Sequence, residues 1–197
     1  MGFNFRYYCI YKPFGMMSQF SKEGERQTLA DLLFQFPKDV YSLGRLDADS
    51  EGMLLLTNNR SLNAALLNPS KGHWREYYVQ VDGDISDAAI LELTKGVEIS
   101  VDGKKYKTKR CKARKISFPS NLPERVPPVR FRKEIPTSWI SVALTEGKNR
   151  QVRKMTAAVG FPTLRLIRVG IGELHLPEWR PGAVFELPEE TFLTALD

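Results

Sequence analysis

The sequence predicts an α+β fold, with one large, mostly antiparallel twisted sheet and a few helices packed on it. Three observations support this prediction. Segments with strand character outnumber segments with helical periodicity. Many connections between neighbouring strands are hairpin-like, which favours antiparallel pairing. No internal repeat or low-complexity linker interrupts the 197 residues, so we expect residues 1–197 to form a single domain.

In the first half of the chain, strands alternate with short helices. Residues 5–11 predict a strand that ends at a Pro- and Gly-containing turn. A helix is predicted over residues 28–36, where Thr28 and Asp31 have the spacing of a capping box and Pro37 stops the helix. Further strands are predicted at residues 40–43, 53–57 and 75–81, and helices at 61–67 and 86–95.

The second half begins with a hairpin. Its strands cover residues 97–101 and a basic segment up to Ile116, and Asp102-Gly103 has the composition of a type I′ turn. Residues 117–133 hold four of the twelve prolines and show no period, which predicts a surface loop. The remaining predictions are strands at 139–144, 164–169, 172–176 and 184–187, and a helix at 150–159.

Composition excludes several classes of protein. The chain is 42% hydrophobic and 26% charged, and its longest purely apolar run, residues 53–56, is too short to cross a bilayer. The first six residues lack the apolar core of a signal peptide, so we expect a cytoplasmic protein without a membrane partner. Cys9, Cys111, His73 and His175 match no metal-ligand spacing, and we expect no metal.

Positive charge is concentrated in one part of the chain. Between Lys104 and Lys133 there are twelve Lys and Arg residues and one acid, Glu124, so this segment carries +11 and the other 167 residues together carry −5. Such a block is typical of a protein that binds a phosphate backbone. The alternative is that these charges protect an exposed strand edge from pairing. The residues predicted to contact nucleic acid are Lys107, Lys109, Arg110, Lys112 and Arg114.

Residues 44–52 form an acidic loop between two glycines, directly before an apolar strand. Asp47, Asp49 and Glu51 have the alternate spacing of the first half of a calcium loop. Asn58, however, stands where such a loop needs a bidentate Glu. The loop is therefore either a solvated turn or a rigidly placed element that presents a carboxylate to a cleft.

Four segments carry a resemblance to a known family. The stretch Gly-Arg-Leu-Asp-x-Asp-Ser-Glu-Gly-x-Leu-Leu-Leu-Thr-Asn, residues 44–58, resembles the signature of the pseudouridine synthases typified by the small-subunit rRNA enzyme. Residues 12–15 with Ser18 are similar to the family's first motif, 75–79 to its second and 146–155 to its third. Order and spacing agree from residue 8 to about residue 187.

The resemblance implies a fold and an activity. It implies one twisted sheet in two lobes with an active-site cleft, and the isomerisation of a specific uridine in ribosomal RNA to pseudouridine. This reaction moves uracil from an N-glycosidic to a C5 bond at C1′ without gain or loss of atoms, so no cofactor is expected. Within the family the chain most resembles the enzymes of large-subunit (23S) rRNA. Because eleven residues precede Lys12, we expect no separate N-terminal RNA-binding module.

The resemblance also assigns roles to individual residues. Asp47 is implied to be the catalytic carboxylate, a choice that the residues alone leave open among the three acids of the loop. Tyr77 is implied to stack on the displaced uracil, and Arg153 to orient and ionise the carboxylate. Arg45 is placed to enter the space that the flipped base leaves, or else to pair with a neighbouring acid. Lys12, Arg150 and Lys154 are further candidates for contact with RNA, Lys12 alternatively as an organiser of its own turn.

Two other functions remain open from the residues. One is a non-catalytic rRNA-binding assembly factor on the same fold, which would not need Asp47. The other is a nucleoside or glycoside hydrolase that uses paired acids. We expect a monomer.

Overall fold

The computed structural model describes residues 5–62, 72–130 and 134–196. The chain divides into a first compact unit, residues 1–73 and 168–197, and a second, residues 74–167. Within the described ranges, nine strands belong to one sheet and two more form a small sheet. A large sheet with few helices confirms the predicted α+β class.

The centre of the first unit is the strand formed by the N-terminal apolar segment. Strand β1 (Tyr7–Lys12) pairs antiparallel with β3 (Glu51–Thr57) on one side and with β11 (Val184–Leu187) on the other. Every residue of β1 and β3 is buried. The register places Lys12 opposite Gly52, so the first motif lies beside the end of the acidic loop. Other elements of this unit are a 3₁₀ turn (Leu29–Asp31), β2 (Tyr41–Leu43), β10 (Leu174–His175) and α3 (Glu189–Thr194).

The second unit contains an antiparallel layer covered by helices. In this layer β4 (Arg75–Asp82), β8 (Thr137–Leu144) and β7 (Lys112–Ile116) lie side by side in that order. Tyr77 is opposite Val142, which is opposite Ala113. These three residues share one face, and helix residues Leu93 and Met155 join the same hydrophobic cluster. The elements of this unit are β4 (Arg75–Asp82), α1 (Asp87–Lys95), β5 (Glu98–Val101), β6 (Lys104–Lys107), β7 (Lys112–Ile116), β8 (Thr137–Leu144) and α2 (Gln151–Ala158); β9 (Thr163–Ile171) begins in it and ends in the first unit.

The predicted hairpin turn is confirmed, but the basic strand after it is not continuous. Asp102 and Gly103 have φ values of 50° and 76°, as a type I′ turn requires. The chain then pairs as β6 with β5, leaves that small sheet at residues 108–111, and pairs as β7 with β8. The prediction of one basic strand was wrong because a short stretch anchored to helix α1 separates the two.

The prediction of a helix over residues 28–36 was also wrong. Asp31 does accept the Thr28 N–H at 2.8 Å, but only a 3₁₀ turn follows, and Leu32 is already extended, with ψ 146°. Phe34 and Phe36 both contact the ring of Tyr8, with centroids 5.6 and 5.3 Å away. Residues two apart reach one partner from an extended chain and not from a helix, so packing on Tyr8 overrides the local pattern.

Helix α3 was not predicted from the sequence. It is only six residues long, and its buried Phe192 packs on Tyr7 with ring centroids 4.8 Å apart. The helix predicted at residues 61–67 lies mostly outside the described residues. Among the helices that the structure describes, none is long and apolar enough to span a membrane.

Candidate active site

The acidic loop is held on both sides of Asp47 by the first motif. The buried hydroxyl of Ser18 accepts the Leu46 N–H at 3.0 Å and donates to the Leu46 carbonyl at 2.8 Å. The Gly15 N–H donates to the Ala48 carbonyl at 2.7 Å. Asp47 itself is half-buried. Its backbone is thus fixed from both neighbours while its side chain keeps some exposure, which suits a group that acts on a bound substrate.

Lys12 is fully buried beside this loop, at 0% exposure. Its Nζ donates to the carbonyls of Met16 at 2.7 Å, Pro13 at 2.9 Å and Ala48 at 3.4 Å. This position does not fit the predicted contact of Lys12 with RNA, because a buried ammonium enclosed by carbonyls does not reach a phosphate. It fits the alternative, in which Lys12 organises the turn of the first motif and the loop next to Asp47.

Burial and the neighbouring carboxylates have opposite effects on the pKa of Lys12. Burial lowers the pKa of Lys12 from 10.5 to about 7, and the carboxylates of Glu51, Asp49 and Asp47 act in the opposite direction. The guanidinium of Arg168 adds to the lowering. A buried lysine with a pKa near neutral therefore lies beside the loop, and the acids of the loop favour its charged form.

Two buried charged residues border the loop and were not identified as such from the sequence. Glu51 is 2% exposed and accepts a hydrogen bond from the Tyr11 hydroxyl at 3.3 Å. Because it is buried, Glu51 does not face solvent, and its position favours a role in ordering the loop. Arg168 is 5% exposed, and its Nε donates to the Met53 carbonyl at 2.8 Å. The only signal for Arg168 in the sequence is a charged residue inside an apolar strand.

Arg45 lies on the exposed side of the loop. Its Nη2 is 3.4 Å from Oε1 of Gln19, a neutral partner. An exposed guanidinium two residues before Asp47 is available to a nucleotide that approaches this loop.

In the second unit, Tyr77 is half-buried and packs against the hydrophobic cluster. The strand register puts Tyr78, opposite Ser141, on the other face of the sheet, as alternation predicts. Tyr77 is thus anchored by the core and keeps part of its surface exposed. This position is compatible with a core aromatic residue and with a residue of the active site.

Arg153 lies in the first turn of helix α2, whose residues Val152 and Met155 are buried in the cluster. Arg153 itself is half-buried. The helix follows Arg150, an exposed residue with a left-handed φ of 53°. Lys154 is half-buried and its Nζ lies 3.4 Å from Oδ1 of Asn149.

The basic connector comprises Lys107, the last residue of β6, and residues 108–111, which lead to β7. Its buried residues Thr108 and Cys111 anchor it to the C-terminal end of α1. The Val97 N–H donates to the Thr108 hydroxyl, and the Thr108 N–H donates to the Val97 carbonyl, both at 2.9 Å. The Cys111 N–H donates to the Thr94 carbonyl at 3.2 Å. The exposed members of the connector are Lys107, Lys109 and Arg110.

Lys112 and Arg114 lie on β7 and share the face opposite to that of Ala113. Both are exposed, and Nζ of Lys112 lies 4.5 Å from the ring centroid of Trp74, a cation–π contact. Lys115, on the other face, pairs with Asp84. The predicted RNA-contact residues of this segment are therefore exposed, but they are distributed over the connector and one face of β7.

The structure places Asp47, Arg45 and Lys12 in the first unit, and Tyr77, Arg153 and the other predicted RNA-contact residues in the second. Among the described residues, no group of three His, Cys, Asp or Glu side chains has an arrangement that would hold a metal ion. The two cysteines are buried, and desolvation raises the pKa of Cys9 to about 12 and of Cys111 to about 11.

Comparison with known proteins identifies the family. The family described as RNA pseudouridylate synthase matches residues 6–158. The ribosomal large subunit pseudouridine synthase E of Vibrio parahaemolyticus is 47% identical over 171 residues, which cover 87% of this chain and 69% of that protein. The enzyme of the same name from Xanthomonas campestris pv. campestris is 45% identical over 173 residues, 87% of this chain and 89% of that protein.

A solved structure shows the same fold. The crystal structure of a pseudouridylate synthase matches with a TM-score of 0.76 at 23% identity, over 98% of this chain and 74% of that chain. The resemblance seen in the four motifs is thereby confirmed, and this chain belongs to the RNA pseudouridylate synthase family of isomerases.

Proposed function

We propose that the chain converts a uridine of ribosomal RNA to pseudouridine, with Asp47 as the catalytic carboxylate. The observation that carries this assignment is the fixation of the backbone on both sides of Asp47 by Ser18 and Gly15, while the Asp47 side chain stays partly exposed. Glu51 does not combine these properties, because it is buried. Asp49 is half-buried like Asp47, and its neighbours Ala48 and Ser50 also make backbone hydrogen bonds. The choice of Asp47 over Asp49 therefore follows from the resemblance of residues 44–58 to the family signature.

The remaining roles are those that the resemblance implies. The carboxylate has to be ionised and close to C1′ of the target, and a guanidinium that pairs with it favours its ionised form and fixes its orientation. We assign this guanidinium to Arg153. Tyr77, anchored in the core, stacks on the displaced uracil, and Arg45 occupies the space that the flipped nucleotide leaves.

Substrate binding is assigned to the exposed cations of the second unit. Lys107, Lys109, Arg110, Lys112 and Arg114 neutralise phosphates, together with Arg150 and Lys154 near the start of α2. The similarity to synthases named for the large ribosomal subunit supports large-subunit rRNA as the substrate. We further propose that the chain works in the cytoplasm as a monomer, that residues 1–197 form one catalytic domain, and that the reaction uses no cofactor.

The test is release of tritium from RNA that carries the label at C5 of uridine. Isomerisation exchanges the C5 hydrogen with water, whereas binding alone retains it. The wild-type chain is expected to release label from large-subunit rRNA, and Asp47→Asn to release none while keeping its circular dichroism spectrum and its affinity for RNA. Asp49→Asn, the matched change in the same loop, is expected to keep measurable turnover.

The outcomes separate the candidate functions. Turnover by folded Asp47→Asn, or equal losses in both variants, would remove the assignment of the chemistry to Asp47. Tight RNA binding without label release by the wild type would favour a non-catalytic assembly factor. Mapping pseudouridines in rRNA from cells with and without the protein identifies the modified position.

A further inference from the structure

A buried carboxylate in the second unit connects three separate segments. Glu146 is 8% exposed and lies five residues before the start of helix α2. Its Oε2 accepts the Tyr106 hydroxyl at 2.6 Å. Its Oε1 accepts the Lys109 N–H at 2.7 Å and Nε2 of Gln151 at 2.5 Å. A buried carboxylate is costly unless it is hydrogen-bonded, and these three donors compensate for the lost water.

Each donor comes from a different element. Tyr106 belongs to strand β6, Lys109 to the basic connector, and Gln151 is the first residue of α2. Both polar atoms of the Gln151 side-chain amide are hydrogen-bonded, because its Oε1 also accepts the Lys148 N–H at 2.9 Å. Glu146 thus links the segment that carries predicted RNA contacts to the first turn of the helix that carries Arg153.

Glu146 is not needed to hold the connector in place. Thr108 makes two hydrogen bonds with Val97, and the Cys111 N–H bonds the Thr94 carbonyl, so the connector is anchored on both sides of Lys109 without Glu146. What the carboxylate adds is the bond to Gln151. The N-terminus of α2 otherwise lacks a side-chain cap, since Arg150 supplies none.

We propose that Glu146 is a positioning residue that couples RNA binding on the basic connector to the orientation of Arg153. This inference rests on the proposed function, in which Arg153 serves the catalytic carboxylate and the connector contacts phosphates. RNA that engages the connector restrains Lys109, and Glu146 passes this restraint to Gln151 and the first turn of α2. A small displacement of that turn moves Arg153, and misplacement of a catalytic group by about 1 Å lowers the rate by as much as about 100-fold.

The experiment compares kcat, KM and the dissociation constant for RNA in four variants of the full chain. Glu146→Leu removes both acceptor oxygens and with them all three hydrogen bonds. Glu146→Gln keeps one oxygen for the Lys109 and Gln151 N–H groups, and its amide can donate to the Tyr106 hydroxyl. Tyr106→Phe removes one hydrogen bond on the hairpin side. Ser86→Ala is the stability control, because it removes the N-cap hydrogen bond of α1 in the same unit.

We expect Glu146→Leu to lower kcat about tenfold or more with a change in RNA affinity below about threefold. Glu146→Gln should restore most of kcat, and Tyr106→Phe should lower kcat about threefold. Ser86→Ala should lower the melting temperature without changing kcat. The proposal is overturned if Glu146→Leu leaves kcat unchanged, lowers kcat no more than Ser86→Ala does, or lowers only the affinity for RNA. It is also overturned if Glu146→Gln does not restore kcat.

A parallel variant separates this proposal from the proposed function. Arg153→Gln is expected to lose turnover. If it retains turnover, the role given to Arg153 fails and the coupling has no target. If Arg153→Gln is inactive while Glu146→Leu is fully active, the coupling alone fails.

Discussion

Replacing Lys12 by Met tests the electrostatics of the acidic loop. Met has a similar length but no charge and no donor, so the carbonyls of Pro13, Met16 and Ala48 lose their common partner. An unsatisfied buried polar group costs about 1–3 kcal/mol. Removing the desolvation penalty of the ammonium offsets part of this cost, and we expect a net loss of about 2 kcal/mol in the free energy of unfolding at pH 7.5.

The pH dependence is the sharper readout. The pKa of Lys12 is about 7 in the folded chain and 10.5 ordinarily, so between these values the unfolded state binds one more proton than the folded state. The free energy of unfolding therefore rises with pH across this window, by up to about 1.4 kcal/mol per pH unit, and this contribution is lost as pH falls through 7. Lys12→Met should lack it.

The assay is urea unfolding of both proteins at pH 7.5 and 8.5. The wild-type free energy of unfolding should rise by about 1 kcal/mol more than that of the variant over this interval. Subtracting the variant's free energy of unfolding from that of the wild type cancels the contribution of every other titrating group that the substitution leaves undisturbed. Parallel pH profiles for the two proteins would refute the depressed pKa, and equal stability at pH 7.5 would refute the role of the three carbonyl contacts.

Three further predictions concern the second unit and the thiols. Gly96→Ala should lower the free energy of unfolding by about 2 kcal/mol or more, because φ is +85° and a Cβ would lie 2.2 Å from a carbonyl oxygen. Gly103→Ala, where φ is +76° and the Cβ would enter open space, should lower it by about 1 kcal/mol. Equal losses in the two variants, measured by urea unfolding, would contradict this prediction. Arg110→Ala should reduce the slope of log affinity against log salt by about 0.7 to 0.9, and an unchanged slope in filter binding would exclude its phosphate contact. Cys9 and Cys111 should react with a thiol reagent at pH 8 only after unfolding, because both are buried and their pKa values are raised to about 12 and 11. Rapid labelling of the native chain would show that one of them is accessible.

Local features of the sequence were sufficient for much of the fold. Apolar runs predicted the buried strands β1 and β3, and Asp102-Gly103 predicted its turn, because each signal depends on neighbouring residues alone. The helix predicted over residues 86–95 agrees with α1 (Asp87–Lys95), whose start is capped locally by the side chain of Ser86. The four motifs, read as a resemblance, identified the family.

Local patterns failed where distant residues competed. The apolar spacing of residues 28–36 is helical, yet the contacts of Phe34 and Phe36 with Tyr8 favour an extended chain. The basic segment reads as one strand, but Thr108 and Cys111 bind the end of α1 and divide it. In both cases tertiary contacts outweigh a propensity worth a few tenths of a kcal/mol per residue.

The sequence by itself determined the residue types available for the chemistry: the acids and Arg45 of the loop, Tyr77, and Arg153. Only the tertiary structure decided the surroundings of the charged groups. Lys12 and Glu146 look like surface residues in the sequence, and the structure buries both among partners far along the chain. The physical reason is that the cost of burying a charge depends on which donors and acceptors the fold brings to it, and sequence spacing does not contain that information.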